Sequence, residues 1–282
     1  MILFSYASYV ILDVYEFKVR MLYMTQTKII FFDIDGTLID MNRKKISEKM
    51  LETLIRLQEK GIKLCLASGR APIQIPHFEG VDFDAFLTFN GSYCYTKDCD
   101  IHSNPLSKED VHTVIKNSAK VNRALSIATK DFIAANDADE ELVAYFNVGG
   151  FKVNVADNFD ELVRDHVVYQ IMMSGTKDDY PIVLDGVHDS KIAAWWDKAF
   201  DLIPKTGGKG VGVASILDYY GFSKEEALAF GDGGNDIEML QTVGTGVAMG
   251  NALDHVKAIA NDVCGHVAED GIYHYCLEKG LI

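Results

Sequence analysis

The chain has 282 residues, 48% of them hydrophobic, and a formal net charge of -14. That length gives room for one large domain or two ordinary ones with a packed core, and the apolar content is too low for a membrane protein. The acidic balance argues against nucleic acid and anionic membranes as partners, because phosphate backbones recruit basic surfaces; small phosphorylated ligands need only a local positive site.

The first 23 residues open on an apolar, aromatic run from Met1 to Leu12, which Asp13, Glu16, Lys18 and Arg20 then interrupt. Such a run is too short to span a bilayer and lacks the basic leader and cleavage site of a secretory signal. Residues 1–23 are expected to be a peripheral extension or an upstream start-codon artefact, with the core beginning at Met24. Next comes the apolar run Lys28-Ile29-Ile30-Phe31-Phe32, which delivers Asp33-Ile34-Asp35-Gly36-Thr37-Leu38. Successive strand side chains point to opposite faces, so Asp33 and Asp35 share one site only if the chain leaves β geometry there, as Gly36 permits. Two carboxylates 4 Å apart repel by roughly 4 kcal/mol at an effective dielectric near 20. A divalent cation with oxygen ligands is the economical remedy. Taken alone, the pattern also fits an ordinary acidic turn.

Ser47 is placed to cap a helix whose Met50, Leu51, Leu54, Ile55 and Leu57 recur at helical spacing, with Gly61 as its stop. Ile62 to Ala67 reads as a strand ending in Ser68-Gly69-Arg70, and Ala85 to Phe89 as another, closed by Asn90-Gly91. After Gly91 the character shifts. Ser107-Lys108-Glu109-Asp110 resembles a capping box opening a helix to about Val121, and Glu140 to Phe146 reads as a short helix. Ser126 to Thr129, Val167 to Met173 and Pro181 to Leu184 lean towards β. Residues 91–190 carry 9 Lys/Arg against 17 Asp/Glu, a solvated acidic surface.

The core is expected to return near Lys191. Gly210 to Tyr220 reads as a helix, and Ala227 to Phe230 as a strand ending in Gly231-Asp232-Gly233-Gly234-Asn235-Asp236. A helix from Asp236 to Val243, a strand from Gly246 to Met249 and a helix from Ala252 to Ala260 follow. This alternation predicts an α/β fold: a three-layer, Rossmann-like core with a parallel sheet, residues 24–90 and 191–282, and an inserted α/β cap, residues 91–190. Open α/β sheets bind ligands beyond the carboxyl ends of their strands, where Asp33, Ser68, Lys209 and Asp232 would converge.

The five cysteines (Cys65, Cys94, Cys99, Cys264, Cys276) are odd in number and contain no C-x-x-C pair, which indicates neither a disulfide framework nor a zinc site and fits a reducing cytoplasm. Cys65 stands one residue too close to Arg70 for a tyrosine-phosphatase loop. Gly207-Gly208-Lys209-Gly210 invites a P-loop reading, which fails because Gly210 stands where Ser or Thr is required and Ile203 where glycine is. The eight histidines form no spaced ligand set, and no G-x-S-x-G elbow occurs.

From about Lys28 to the C-terminus the chain resembles the haloacid dehalogenase superfamily, and within it the Cof-like phosphatases. The resemblance rests on the first Asp-x-Asp-Gly motif, the small hydroxyl before Gly-Arg, the isolated lysine and Gly-Asp-Gly-x-Asn-Asp, in that order, with Val247 to Ala252 and Glu269-Asp270-Gly271 as further matches. It implies a magnesium-dependent phosphatase of small phosphorylated metabolites, sugar phosphates first. Asp33 would be the nucleophile that forms an aspartyl-phosphate, and Asp35 the acid and base. Mg2+ would be held by Asp33, the Asp35 carbonyl and Asp232. Ser68, the Gly69 and Ile34 amides, Lys209 and Asn235 would bind phosphate, while Asp236 orients a metal-bound water or Lys209. Arg70 and Asn90 are nearby candidates for a functional or a structural part. A phosphomannomutase-like phosphotransferase shares the first motif and the cap, but should present a basic cluster for a second phosphate. A non-catalytic phosphate-binding domain would bind without turnover.

Overall fold

A computed structural model describes residues 26–196 and 198–282; the expected extension at 1–23 lies outside the described residues. The strands in chain order are β1 (Ile29–Phe32), β2 (Lys63–Ala67), β3 (Ala85–Thr88), β4 (Tyr93–Tyr95), β5 (Asp100–Ser103), β6 (Leu125–Ala128), β7 (Ile133–Ala135), β8 (Gln170–Ser174), β9 (Ser190–Trp196), β10 (Ala199–Pro204), β11 (Ala227–Gly231), β12 (Thr245–Ala248) and β13 (Asp262–Val263). They form two sheets, one ordered β13-β12-β11-β1-β2-β3-β4-β5 and the other β7-β6-β8-β10-β9.

The first sheet is parallel from β13 to β3 and antiparallel across β4 and β5. Its central strands are apolar on both faces, as burial under helices on two sides requires. Ile30, Phe32, Leu64 and Leu66 pack into one layer with Met50, Leu54 and Leu57 of the helix Glu48–Glu59 and with Ile272 and Cys276 of the helix Gly271–Glu278. Ile29, Phe31, Cys65 and Ala67 pack into the opposite layer with Val213, Ile216 and Leu217 of the helix Lys209–Tyr220 and Met239 and Leu240 of Ile237–Thr242. The result is the expected three-layer α/β core. Strand order reverses between β1 and β11, whose carboxyl ends lie side by side, and such a reversal opens a ligand crevice.

The second sheet is wholly antiparallel and belongs to the cap. It buries Leu125, Ile127, Ile171, Met173, Phe200 and Leu202 against Val111 and Val114 of the helix Lys108–Lys120. Ser47 and Ser107 each accept the N–H three residues on (from Met50 at 3.0 Å and Asp110 at 3.2 Å), as their positions suggested.

Sheet membership moves both expected boundaries. The core sheet does not end at residue 90, because Phe89, Asn90 and Gly91 all take positive φ and fold β4 back along β3. The core also does not return at Lys191, since β9 and β10 complete the cap sheet through Pro204. Pro181 to Leu184 is no strand: Tyr180–Val183 is a helical turn with Pro181 near its start, where a missing N–H costs nothing. The helix expected over Ala252 to Ala260 is only Asp254–Lys257.

Candidate active site

Asp33 leaves β1 as Asp232 leaves β11, and Gly36 brings the two loops together. Gly36 has φ +94°, and a Cβ there would run into the Asp232 carboxylate. Glycine is required on both counts. Thr37 Oγ1 donates to Asp232 Oδ1 at 2.8 Å, and Asn251 Nδ2 donates to the Gly36 carbonyl at 2.8 Å and to Asp232 Oδ2 at 3.3 Å. Asn251 was missed by sequence reasoning as a functional position; the Met-Gly-Asn-Ala run containing it was its signal.

Lys209, the first residue of its helix, is buried behind Asp33. Its Nζ donates to Asp33 Oδ1 and to Asp236 Oδ1, both at 2.6 Å. The other oxygen of Asp236 accepts the backbone N–H groups of Asp232 at 2.9 Å and Gly233 at 2.8 Å. Asp236 thus fixes the lysine and the acidic loop together. Burial, repulsion from Asp236 and, further down, from Asp232 and Asp35 push the Asp33 carboxyl well above the usual range, against the pull of Lys209. Burial and then Asp236 push Asp232 up to about 7. Burial lowers the Lys209 pKa, but Asp236 and Asp33 override it and hold the ammonium charged.

Carboxylate oxygens of Asp33, Asp232 and Asp236 all lie within 4.8 Å of one another. Hard oxygen donors whose charged forms are penalised by mutual repulsion suit Mg2+. With Asp236 occupied by Lys209 and two amides, Asp33 and Asp232 are the donors that fit such an ion best.

Asp35 is gripped by Arg70, which donates Nε to Oδ2 at 2.8 Å and Nη2 to Oδ1 at 2.6 Å; Arg70 Nη1 reaches the Gln74 carbonyl at 3.1 Å. Ser68 is buried at the end of β2, and its Oγ accepts the Arg70 N–H at 3.1 Å. The Gly69 carbonyl accepts Gln170 Nε2 from the cap at 3.0 Å. Asn235 donates Nδ2 to Asn90 Oδ1 at 2.8 Å, and Asn90 Nδ2 donates to Gln170 Oε1 at 3.1 Å and to Asp201 Oδ2 at 3.0 Å. Asn90 is therefore a strut between core and cap.

A cavity of about 290 Å³ opens over these strand ends. Asp33, Asp35, Ser68, Gly69, Asp232, Asn235 and Asp236 line it, so most of the expected site residues meet at one place. Ile34 and Lys209 do not line it: the Ile34 side chain is packed in the core and Lys209 sits behind the carboxylates. The cap contributes Tyr145, Phe146, Phe151, Met172 and Asp201 to the lining, and no lysine or arginine among the described residues. Asp201 was missed. Its signal was an acid in the middle of the apolar strand Ala199-Phe200-Asp201-Leu202-Ile203.

A family model described as haloacid dehalogenase-like hydrolase matches residues 30–276. The 5-amino-6-(5-phospho-D-ribitylamino)uracil phosphatase YitU of Bacillus subtilis is 33% identical over 90% of this chain and 98% of its own length. The HMP-PP phosphatase of Escherichia fergusonii is 28% identical over 86% and 92%. A solved structure of the subclass IIB sugar phosphatase BT4131 superposes with a TM-score of 0.83 at 30% identity, covering 91% of this chain and all of that one.

Proposed function

Because the chain belongs to the haloacid dehalogenase-like hydrolases, and is a phosphatase of small phosphorylated metabolites by its relatives, we propose that it hydrolyses phosphate monoesters through an aspartyl-phosphate on Asp33, with Mg2+ as cofactor. The observation that carries this reading is the Lys209 ammonium bridging Asp33 and Asp236 beside Asp232. A nucleophilic carboxylate must meet an anionic phosphate, so positive charge has to be built in. Mg2+ held by Asp33, Asp232 and the Asp35 carbonyl would screen that repulsion and polarise a phosphate oxygen.

The chain's own groups supply the rest. Lys209 orients Asp33 and leaves its second oxygen to attack phosphorus; the ester oxygen departs with a proton from Asp35. Asp35 then takes a proton from the water that cleaves the phosphoaspartate, which regenerates Asp33. Arg70 holds Asp35 in place by its planar fork. Ser68 Oγ, the Gly69 and Ile34 amides and Asn235 would receive the phosphate oxygens. The cavity of about 290 Å³ suits a small phosphate ester, a sugar phosphate among them, with the cap over the leaving group. No described helix is long and apolar enough to cross a membrane. A mutase is disfavoured, since among the described residues the cap brings no lysine or arginine to the cavity for a second phosphate.

The test is Asp33→Asn assayed for phosphate release from para-nitrophenyl phosphate with Mg2+. The reading expects a loss of about 10⁴-fold or more, as for removal of a covalent nucleophile; Mg2+-dependent release that survives the change would end it. Activity that depended on an added sugar bisphosphate would favour the mutase.

A further inference from the structure

Asp201 is a buried acid that the chemistry above does not use. Strand alternation explains where it points. Phe200 and Leu202, its neighbours on β10, pack into the cap core, so Asp201 faces the other way. It pairs across the sheet with Met172 of β8, and both line the catalytic cavity.

Its surroundings are unusual for a carboxylate. Only 1% of it is exposed, and it receives two neutral donors, Tyr145 OH on Oδ1 at 2.6 Å and Asn90 Nδ2 on Oδ2 at 3.0 Å. Neither is a cation, and burial pushes the group up to about 7 while these two hydrogen bonds pull it down. Buried charges are normally paired. A carboxylate offers about four lone-pair sites, and here two are taken. Acceptor capacity remains at the cavity wall. Tyr145, Phe146, Phe151 and Met172 line the same cavity and give it an apolar, largely aromatic wall, with the Arg70 guanidinium over one face of Phe151 at 5.2 Å.

We propose that Asp201 is the specificity-determining residue of this site, accepting a hydrogen bond from an amino group carried by the leaving group of the phosphate ester. An N–H donor, charged or neutral, satisfies the carboxylate where a carbonyl or ether oxygen would repel it, and an alcohol satisfies it less well than an ammonium. The aromatic walls favour an aminated planar ring over an amino sugar. Asn90 ties Asp201 to Asn235 and, through Gln170, to Gly69, so leaving-group recognition is joined to the phosphate end of the cavity. The proposal rests on the phosphatase reading above.

The experiment compares kcat/KM within two matched pairs: pyridoxamine against pyridoxine 5′-phosphate, and glucosamine against glucose 6-phosphate. The wild type should prefer the amine of the first pair by about 10- to 100-fold, the range of a hydrogen bond to a charged group. Asp201→Asn, which keeps the shape, should shrink that ratio and Asp201→Leu should erase it. Ratios cancel any loss common to both esters, and a thermal melt checks folding of each variant. Preference for glucosamine alone, lost in the variants, would retain Asp201 as the acceptor and overturn the planar ring. Hydrolysis of para-nitrophenyl phosphate with no amine preference in either pair, or a preference that survives both substitutions, would overturn the role of Asp201. A wild type that releases no phosphate even from para-nitrophenyl phosphate would overturn the phosphatase reading and this one with it.

Discussion

Arg70 meets Asp35 edge to edge, through two hydrogen bonds of 2.8 and 2.6 Å that fix the plane of the carboxylate. A flexible ammonium cannot reproduce that fork. Arg70→Lys should therefore keep the charge and lose the orientation, lowering kcat by about 10- to 100-fold, within the usual worth of a positioned acid or base. The loss should be larger for an alkyl phosphate, whose leaving oxygen needs a proton, than for para-nitrophenyl phosphate, whose leaving group does not. Equal losses on the two esters would mean that Arg70 does not serve Asp35 as the proton donor.

Lys209 makes a different kind of pair. It is buried between Asp33 and Asp236 and holds both. Removing one member of a buried charge cluster leaves the others uncompensated, at a cost of about 3–5 kcal/mol. Lys209→Met should lower stability by that order in urea unfolding without Mg2+, and added Mg2+ should restore part of it. Asp33→Asn relieves repulsion and keeps an acceptor for Lys209 while weakening a charged hydrogen bond to a neutral one, so it should unfold at a urea concentration near or above that of the wild type. The two variants would then lose activity alike and diverge in stability.

Much of the site was legible because each piece sits where an apolar strand run ends in polar residues. Asp33, Ser68 and Asp232 follow directly from β1, β2 and β11, and parallel strands deliver their carboxyl ends to one edge. What stayed hidden depends on pairing between distant segments. Nothing in Tyr93 to Ser103 announces that it folds back on β3, and nothing local separates β10 from the core strands it resembles. Asp201 was overlooked for that reason: its role follows from the strand beside it. The partner of Arg70 likewise emerges only when β1 and β2 lie side by side.

Gly36 sets the backbone shape beside the candidate metal ligand Asp232. Its φ of +94° and the nearness of the Asp232 carboxylate leave no room for a methyl group. Gly36→Ala should cost about 1–3 kcal/mol of stability through backbone strain. It should also displace Asp232 from Thr37, so the Mg2+ concentration for half-maximal activity should rise at least severalfold. A variant destabilised with unchanged Mg2+ dependence would show that the Gly36 turn does not position Asp232.

Stability should respond to Mg2+ and pH together, and the sign is set by the raised carboxyls. Burial and the neighbouring carboxylates raise Asp33, and raise Asp232 to about 7, from an ordinary value of 3.8. Between about pH 4 and pH 7 the folded protein thus holds protons that the unfolded chain has released. Stability from these groups is full below pH 4 and declines as pH rises towards 7, since it falls wherever the native state binds more protons. A divalent cation bound there would replace those protons as the neutralising charge. The gain in melting temperature on adding Mg2+ should therefore be small at pH 5, where protons compete for the same oxygens, and large at pH 8. At 100 times its dissociation constant the ion contributes about 2.7 kcal/mol. Asp232→Asn should flatten this difference, because one ligand and one raised carboxyl go together. A Mg2+ shift equal at both pH values in the wild type would show that the ion does not bind to these carboxylates.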